Sequence, residues 1–142
     1  CHVNTGACML LSESKYVVDH SRQFYLFDII PMGAPRMTQS DKWKKRPIVS
    51  QYWAYKDMLR LQANTMQFTL GEYFEAIYFL PMPSSWSDKK KDRMNGLPCK
   101  VKPDTDNITK GIKDCFSSND SNIWYEKAQK HWAYRGSILI YK

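Results

Sequence analysis

Two aspartates separated by one residue, Asp104 and Asp106, a lysine at Lys110 and a third acid at Asp120 are the side chains of this chain best suited to chemistry. In an extended segment, residues two apart point to the same side, so Asp104 and Asp106 can present two carboxylates to one point. With a helix starting near Asp106, Lys110 lies about 40° around from that acid. The apolar stripe Ile108, Ile112, Cys115 and Phe116 falls on the opposite side. Asp120, on the loop that follows, can fold back as a third oxygen ligand. The set suits phosphodiester hydrolysis. Hard divalent cations offset extra negative charge on phosphoryl oxygens and supply hydroxide near neutral pH, and carboxylates hold them while leaving room for water and phosphate. A nearby lysine can stabilise the developing charge or the leaving oxygen. Blander readings fit the same spacing: Asp106 can cap a helix, and Lys110 can pair with Asp106 or Asp114 on an ordinary surface.

The acids sit in a basic chain, with 21 Lys plus Arg against 14 Asp plus Glu and a formal charge of +7. The excess is concentrated in two stretches. One carries Arg36, Lys42, Lys44, Lys45, Arg46, Lys56 and Arg60; the other carries Lys89, Lys90, Lys91, Arg93, Lys100 and Lys102. Lys and Arg neutralise phosphates and release counterions, and the aromatics interleaved with them can stack on unpaired bases. Charge runs are also commonly plain solvated faces, and Trp43, Tyr52 and Trp53 can be core residues. A cluster of carboxylates in a surface that binds phosphate is a contradiction that a metal ion resolves.

With 142 residues the chain is sized for one domain, and 43% hydrophobic and 14% aromatic residues argue for a folded core rather than a disordered tail. No apolar run approaches the ~20 residues of a membrane span, and no signal-peptide pattern opens the sequence, so the expected compartment is the cytoplasm. Cys1, His2, Cys8 and Cys99 could bind zinc, but no CxxC pair exists and the spacing is not finger-like, so ordinary packing is the stronger reading, as it is for Cys115 on the apolar helix face.

Residues 1–22 show no sustained period and read as an arm; 23–142 form the domain. Gln23 to Pro31 reads as a strand, followed by a long loop through Pro47. Ile48 to Met66 is helical, with Ile48, Tyr52, Tyr55, Leu59, Ala63 and Met66 recurring at three or four residues. Tyr73 to Leu80 reads as a second strand. Ser84 or Ser85 is expected to cap a short helix through SWSDKKKDRM, which Asn95-Gly96 ends. After the helix from Asp106 and a polar loop, Ile123 to Ala133 and Ser137 to Tyr141 complete the strands, with Arg135-Gly136 as the turn between them.

The run Lys102-Pro103-Asp104-Thr105-Asp106-Asn107-Ile108-Thr109-Lys110, continuing to Asp114 and Asp120, resembles the signature of the RusA family of Holliday junction resolvases. The stretches at 33–47, 52–60 and 81–93 fit in the same order, so the resemblance covers about Phe24 to Tyr141 and leaves the first 22 residues outside. It implies an α+β fold, a mixed sheet with packed helices. It also implies an endonuclease of phage or prophage origin that cuts four-way DNA junctions by paired symmetric nicks, as a homodimer, with Mg²⁺ (Mn²⁺ a possible substitute) and no small-molecule cofactor. Carried over, Asp104, Asp106 and Asp120 bind the metal and Lys110 is the catalytic lysine. Arg36, Lys42, Lys44, Lys45, Arg46, Lys89, Lys90, Lys91, Arg93 and Lys102 are candidates for DNA contact. Two positions depart from the family pattern: Asn119 stands where a second Asp often precedes the third acid, and Cys115 stands where Ala is common. A non-catalytic module for branched DNA, or a nuclease for flaps and forks, are the competing functions.

Overall fold

The computed structural model describes residues 16–35 and 47–142. Four strands form one mixed sheet: β1 (Phe24–Phe27), β2 (Tyr73–Pro81), β3 (Tyr125–Ala133) and β4 (Ser137–Tyr141), in the order β1-β4-β2-β3. The β1–β4 and β4–β2 pairs are antiparallel and the β2–β3 pair is parallel. Among the described residues three α-helices join them: α1 (Pro47–Met66), α2 (Asp88–Met94) and α3 (Thr105–Phe116). This is the expected α+β class.

The strand alternation explains how the layers form, because successive side chains point to opposite faces. On one face Phe27, Phe74, Ala76, Tyr78, Ile138 and Ile140 pack against Tyr52, Tyr55, Leu59 and Ala63 of α1 and Ile108 and Ile112 of α3. On the other, Leu26, Ile77, Phe79, Leu139 and Tyr141 are covered by Tyr16 and Val18. Interior strands β2 and β4 are therefore apolar almost throughout, whereas β3, at the edge, carries Glu126, Lys127, Gln129 and Lys130. A charged edge strand resists pairing with stray chains.

Several boundaries differ from those read in the sequence. The first strand is only Phe24–Phe27, because the backbone turns at Ile29, whose N–H donates to the Phe27 carbonyl. The buried stripe of α1 is Val49, Tyr52, Tyr55, Lys56, Leu59 and Ala63; Ile48, one position out of phase, is exposed. Ser87, rather than Ser84 or Ser85, caps α2 by accepting the Lys90 N–H, since the Trp86 N–H is drawn back to the Pro83 carbonyl in a preceding turn. Residues 16–22, read as part of an arm, lie on the sheet: the Tyr16 and Tyr141 hydroxyls are 3.0 Å apart and Arg22 pairs with Glu75 at 2.8 Å. The remaining two helices and three strands match the sequence reading to within two residues. No helix among the described residues is long and apolar enough to cross a membrane.

Burial raises the phenols of Tyr55 and Tyr78 well above their ordinary value of about 10. The folded state therefore favours the neutral phenols more than the unfolded chain does. This stabilisation is full below about pH 10 and is lost as the pH rises further. Urea midpoints are expected to fall above about pH 10, with tyrosine ionisation, followed by ultraviolet difference spectra, appearing together with unfolding.

Candidate active site

The segment Lys102–Lys110 enters α3, with Asp104 as the residue before its first turn. An aspartate in that position commonly accepts a bond from a backbone N–H of the first turn. Asp104 does not: its backbone is extended (φ −68°, ψ 149°) and its carboxylate makes no capping bond. Asp106, in the first turn, accepts only the neighbouring Asn107 N–H among the described residues, at 3.0 Å. Asp104, Asp106 and Lys110 are all exposed. The two acids thus share one helix end and stand free toward solvent.

What holds that end is more elaborate than its apolar stripe. Ile108 and Ile112 are fully buried in the helix-facing core. Thr109 is buried beside them, its hydroxyl 2.7 Å from that of Tyr78 in β2. The Ala34 N–H donates to the Asn107 carbonyl at 3.2 Å, and Gly33 lies against Pro103. Further along, Tyr52 donates its hydroxyl to Asp114 at 3.2 Å, and Lys113 reaches Glu126 at 3.1 Å. Burial, with the Asp114 charge second, raises the Tyr52 phenol, so it keeps the proton it donates.

These contacts separate the readings left open by spacing. Asp114 is occupied with Tyr52. The described ion pairs include neither a Lys110–Asp106 nor a Lys110–Asp114 bridge. Lys110 is therefore not explained as an ordinary surface partner.

Asp120 lies elsewhere. It begins a single 3-10 turn, Asp120–Asn122, capped by Asn119, whose side chain accepts the Ser121 N–H at 3.1 Å and the Ser121 hydroxyl at 2.7 Å. The asparagine that departs from the family pattern is thus a turn-former here. A helix of 12 residues is about 18 Å long, so Asp120 follows the end opposite to Asp104 and Asp106. Among the described residues no group of three Asp, Glu, His or Cys is placed to hold one metal ion. Asp104, Asp106 and Asp120 are therefore not gathered into one such group within the described residues.

The basic residues divide likewise. Lys89, Arg93, Lys100 and Lys102 are exposed, and Lys91 is half-buried. Lys90 lies over the Trp86 ring at 4.3 Å, and Trp86 packs edge-on against Trp132 at 5.1 Å, which seats α2 on the sheet margin. Lys56, by contrast, is buried between the rings of Tyr52 and Trp53, so it belongs to the packing. Arg36, Lys42, Lys44, Lys45 and Arg46 lie outside the described residues. Cys99 is buried with Leu80, Met82 and Trp132, and Cys115 is half-buried with its thiol toward the Lys56 carbonyl at 3.5 Å, both as packing groups. One residue that spacing did not single out is Lys130, a half-buried lysine on β3 that donates to the carbonyls of Val101 and Pro103. Its only sequence signal was a cation two residues from Ala128 and two from Trp132, on the same side of a strand.

A family model, endodeoxyribonuclease RusA, matches residues 28–140. No curated protein matches the chain.

A Cβ added at Gly33 would stand 2.9 Å from the Pro103 Cβ and 3.5 Å from that of Asn107. Pro103 belongs to the segment leading into Asp104, so Gly33→Ala must displace either strand of this contact. A loss of about 1–3 kcal/mol is expected from denaturant unfolding.

Proposed function

The chain belongs to the RusA endodeoxyribonuclease family, and from that premise we propose that it resolves four-way DNA junctions by paired nicks, with a divalent cation held at Asp104 and Asp106. The observation that carries the site assignment is that both carboxylates stand at one exposed helix end without a capping bond or an ion pair among the described residues. Oxygen donors of this kind suit Mg²⁺, which usually takes one or two carboxylates and keeps waters for the rest, and Mn²⁺ accepts the same ligands. When bound, such an ion draws charge from a phosphoryl oxygen and lowers the pKa of a water.

The chain's own residues do the rest. Lys110, one turn beyond Asp106 and unpaired among the described ion pairs, offers an ammonium to the oxygen that leaves or to the charge that develops on the phosphate. Lys89, Lys91, Arg93 and Lys102 offer phosphate neutralisation, which gives affinity without sequence preference. Arg36, Lys42, Lys44, Lys45 and Arg46 carry the same role in the family reading, and Lys90 shares it with its hold on Trp86.

Two coordinated cuts need two sites, which a homodimer supplies by symmetry. Asp120 enters the reading at this point. Because it lies past the far end of α3, the third acid at a given Asp104–Asp106 pair is one that a second copy of the chain donates.

The test is cleavage of a four-way junction by wild type and Asp104→Asn, with Mg²⁺ or with EDTA. Wild type should cut only with the cation. The variant should lose about a hundredfold or more in cleavage rate while junction binding, measured in EDTA, is unchanged. Near-normal cleavage by the variant removes the site assignment. Binding by wild type with no cleavage under any divalent cation leaves a DNA-holding module instead, and preferential cutting of flaps or forks moves the activity to those substrates.

A further inference from the structure

We infer that Lys130 is a positioning residue, a strand-borne tether that fixes where Asp104 and Asp106 stand; the inference rests on the site assignment proposed above. The five residues before Asp104, from Cys99 to Pro103, belong to no helix or strand. Lys130 holds this segment at three points. Its backbone carbonyl accepts the Cys99 N–H at 3.0 Å, and its ammonium donates to the carbonyls of Val101 and of Pro103, the latter at 2.9 Å. Neither of those carbonyls accepts a backbone bond among the described residues. The lysine therefore supplies hydrogen bonds that the irregular backbone cannot make for itself.

The arrangement is costly unless it is used. A lysine side chain is the most flexible on a protein surface and is strongly hydrated, so confining it against two carbonyls gives up rotamer entropy and water contacts. Lys130 sits on a rigid platform. It is registered against Tyr78 in β2, and the Tyr78 hydroxyl meets Thr109 in the first half of α3. The same pair of strand positions therefore anchors the peptide just before the acids and the helix just after them. With the ammonium removed, the Pro103 carbonyl loses its partner and the first turn of α3 is free to shift, while Ile112 remains buried.

The experiment compares wild type with Lys130→Met in three measurements. The first is amide hydrogen exchange in the metal-free protein, read at Ile108, whose N–H makes the first helical bond to the Asp104 carbonyl, and at Ile112. Exchange at Ile108 should rise about tenfold, with Ile112 unchanged. The second is the Mg²⁺ concentration for half-maximal junction cleavage, which should rise about tenfold because the carboxylates no longer stand pre-set for the ion. The third is junction binding in EDTA, which should stay within about twofold, because a tether makes no phosphate contact. Should the methionine variant fail to fold, Lys130→Gln, too short to span both carbonyls, carries the same comparison. Unchanged exchange and unchanged metal requirement overturn the inference. So does a fall in EDTA binding that parallels the loss of cleavage, which would make Lys130 a DNA contact. Wild-type cleavage in the same series keeps the two ideas apart: a wild type that never cuts defeats the proposed function, while the exchange at Ile108 still decides the tether.

Discussion

A pair of carboxylates two residues apart repels itself, and the closer it is held the more it needs a scaffold that does not yield. Everything around Asp104 and Asp106 serves that constraint. The acids occupy the open end of a helix whose favourable dipole lowers the cost of negative charge there. The helix behind them is seated by fully buried Ile108 and Ile112 and by the hydroxyl pair of Thr109 and Tyr78. In front, Gly33 leaves just enough space for Pro103, and Lys130 holds the entering backbone. The end of α3 is thus open to solvent on one side and held by packing and hydrogen bonds on the other.

Opposite charges are kept apart by the same scaffold. The cations of α2 ride on a tryptophan pair at the sheet margin, while the acids stand at the start of α3, so neither set quenches the other by direct pairing among the described residues. Charges that are free of each other remain available to a third party. Membership of an endodeoxyribonuclease family makes that party DNA, and under the proposed function the separation of signs leaves the cations to the phosphate backbone and the carboxylates to the ion.

Elements with a strong period were legible in the sequence, and those fixed by single contacts were not. The strand Tyr73–Pro81 and the stripe Ile108–Ile112 show their burial directly, because the strand is apolar on both faces and the helix along one. The stripe of α1 is legible from Tyr52 through Ala63, but its first position falls on Val49 and not Ile48: the two are equally apolar, and only the packing against the sheet decides between them. The cap of α2 depended on which of three serines escapes the turn before it. In the site, the free state of Asp104 and the occupation of Asp114 by Tyr52 depend on residues far away in sequence, and no local pattern encodes them. Lys130 was invisible for the same reason: its meaning lies in two carbonyls that a sequence does not display. Asp120 follows the far end of α3, and the path of the loop that leads to it is set by contacts that no local pattern encodes.

Strand β4 is the last element in chain order and yet lies between β1 and β2, with Phe24 opposite Tyr141 and Ala76 opposite Ile140. Until synthesis has passed Tyr141, β1 has no neighbour and the helices have only part of the sheet to rest on. A chain that stops short of β4 thus carries the acids and cations of a DNA-cutting protein without the platform that organises them. Late insertion of a central strand slows assembly, since it closes the widest loop in the fold.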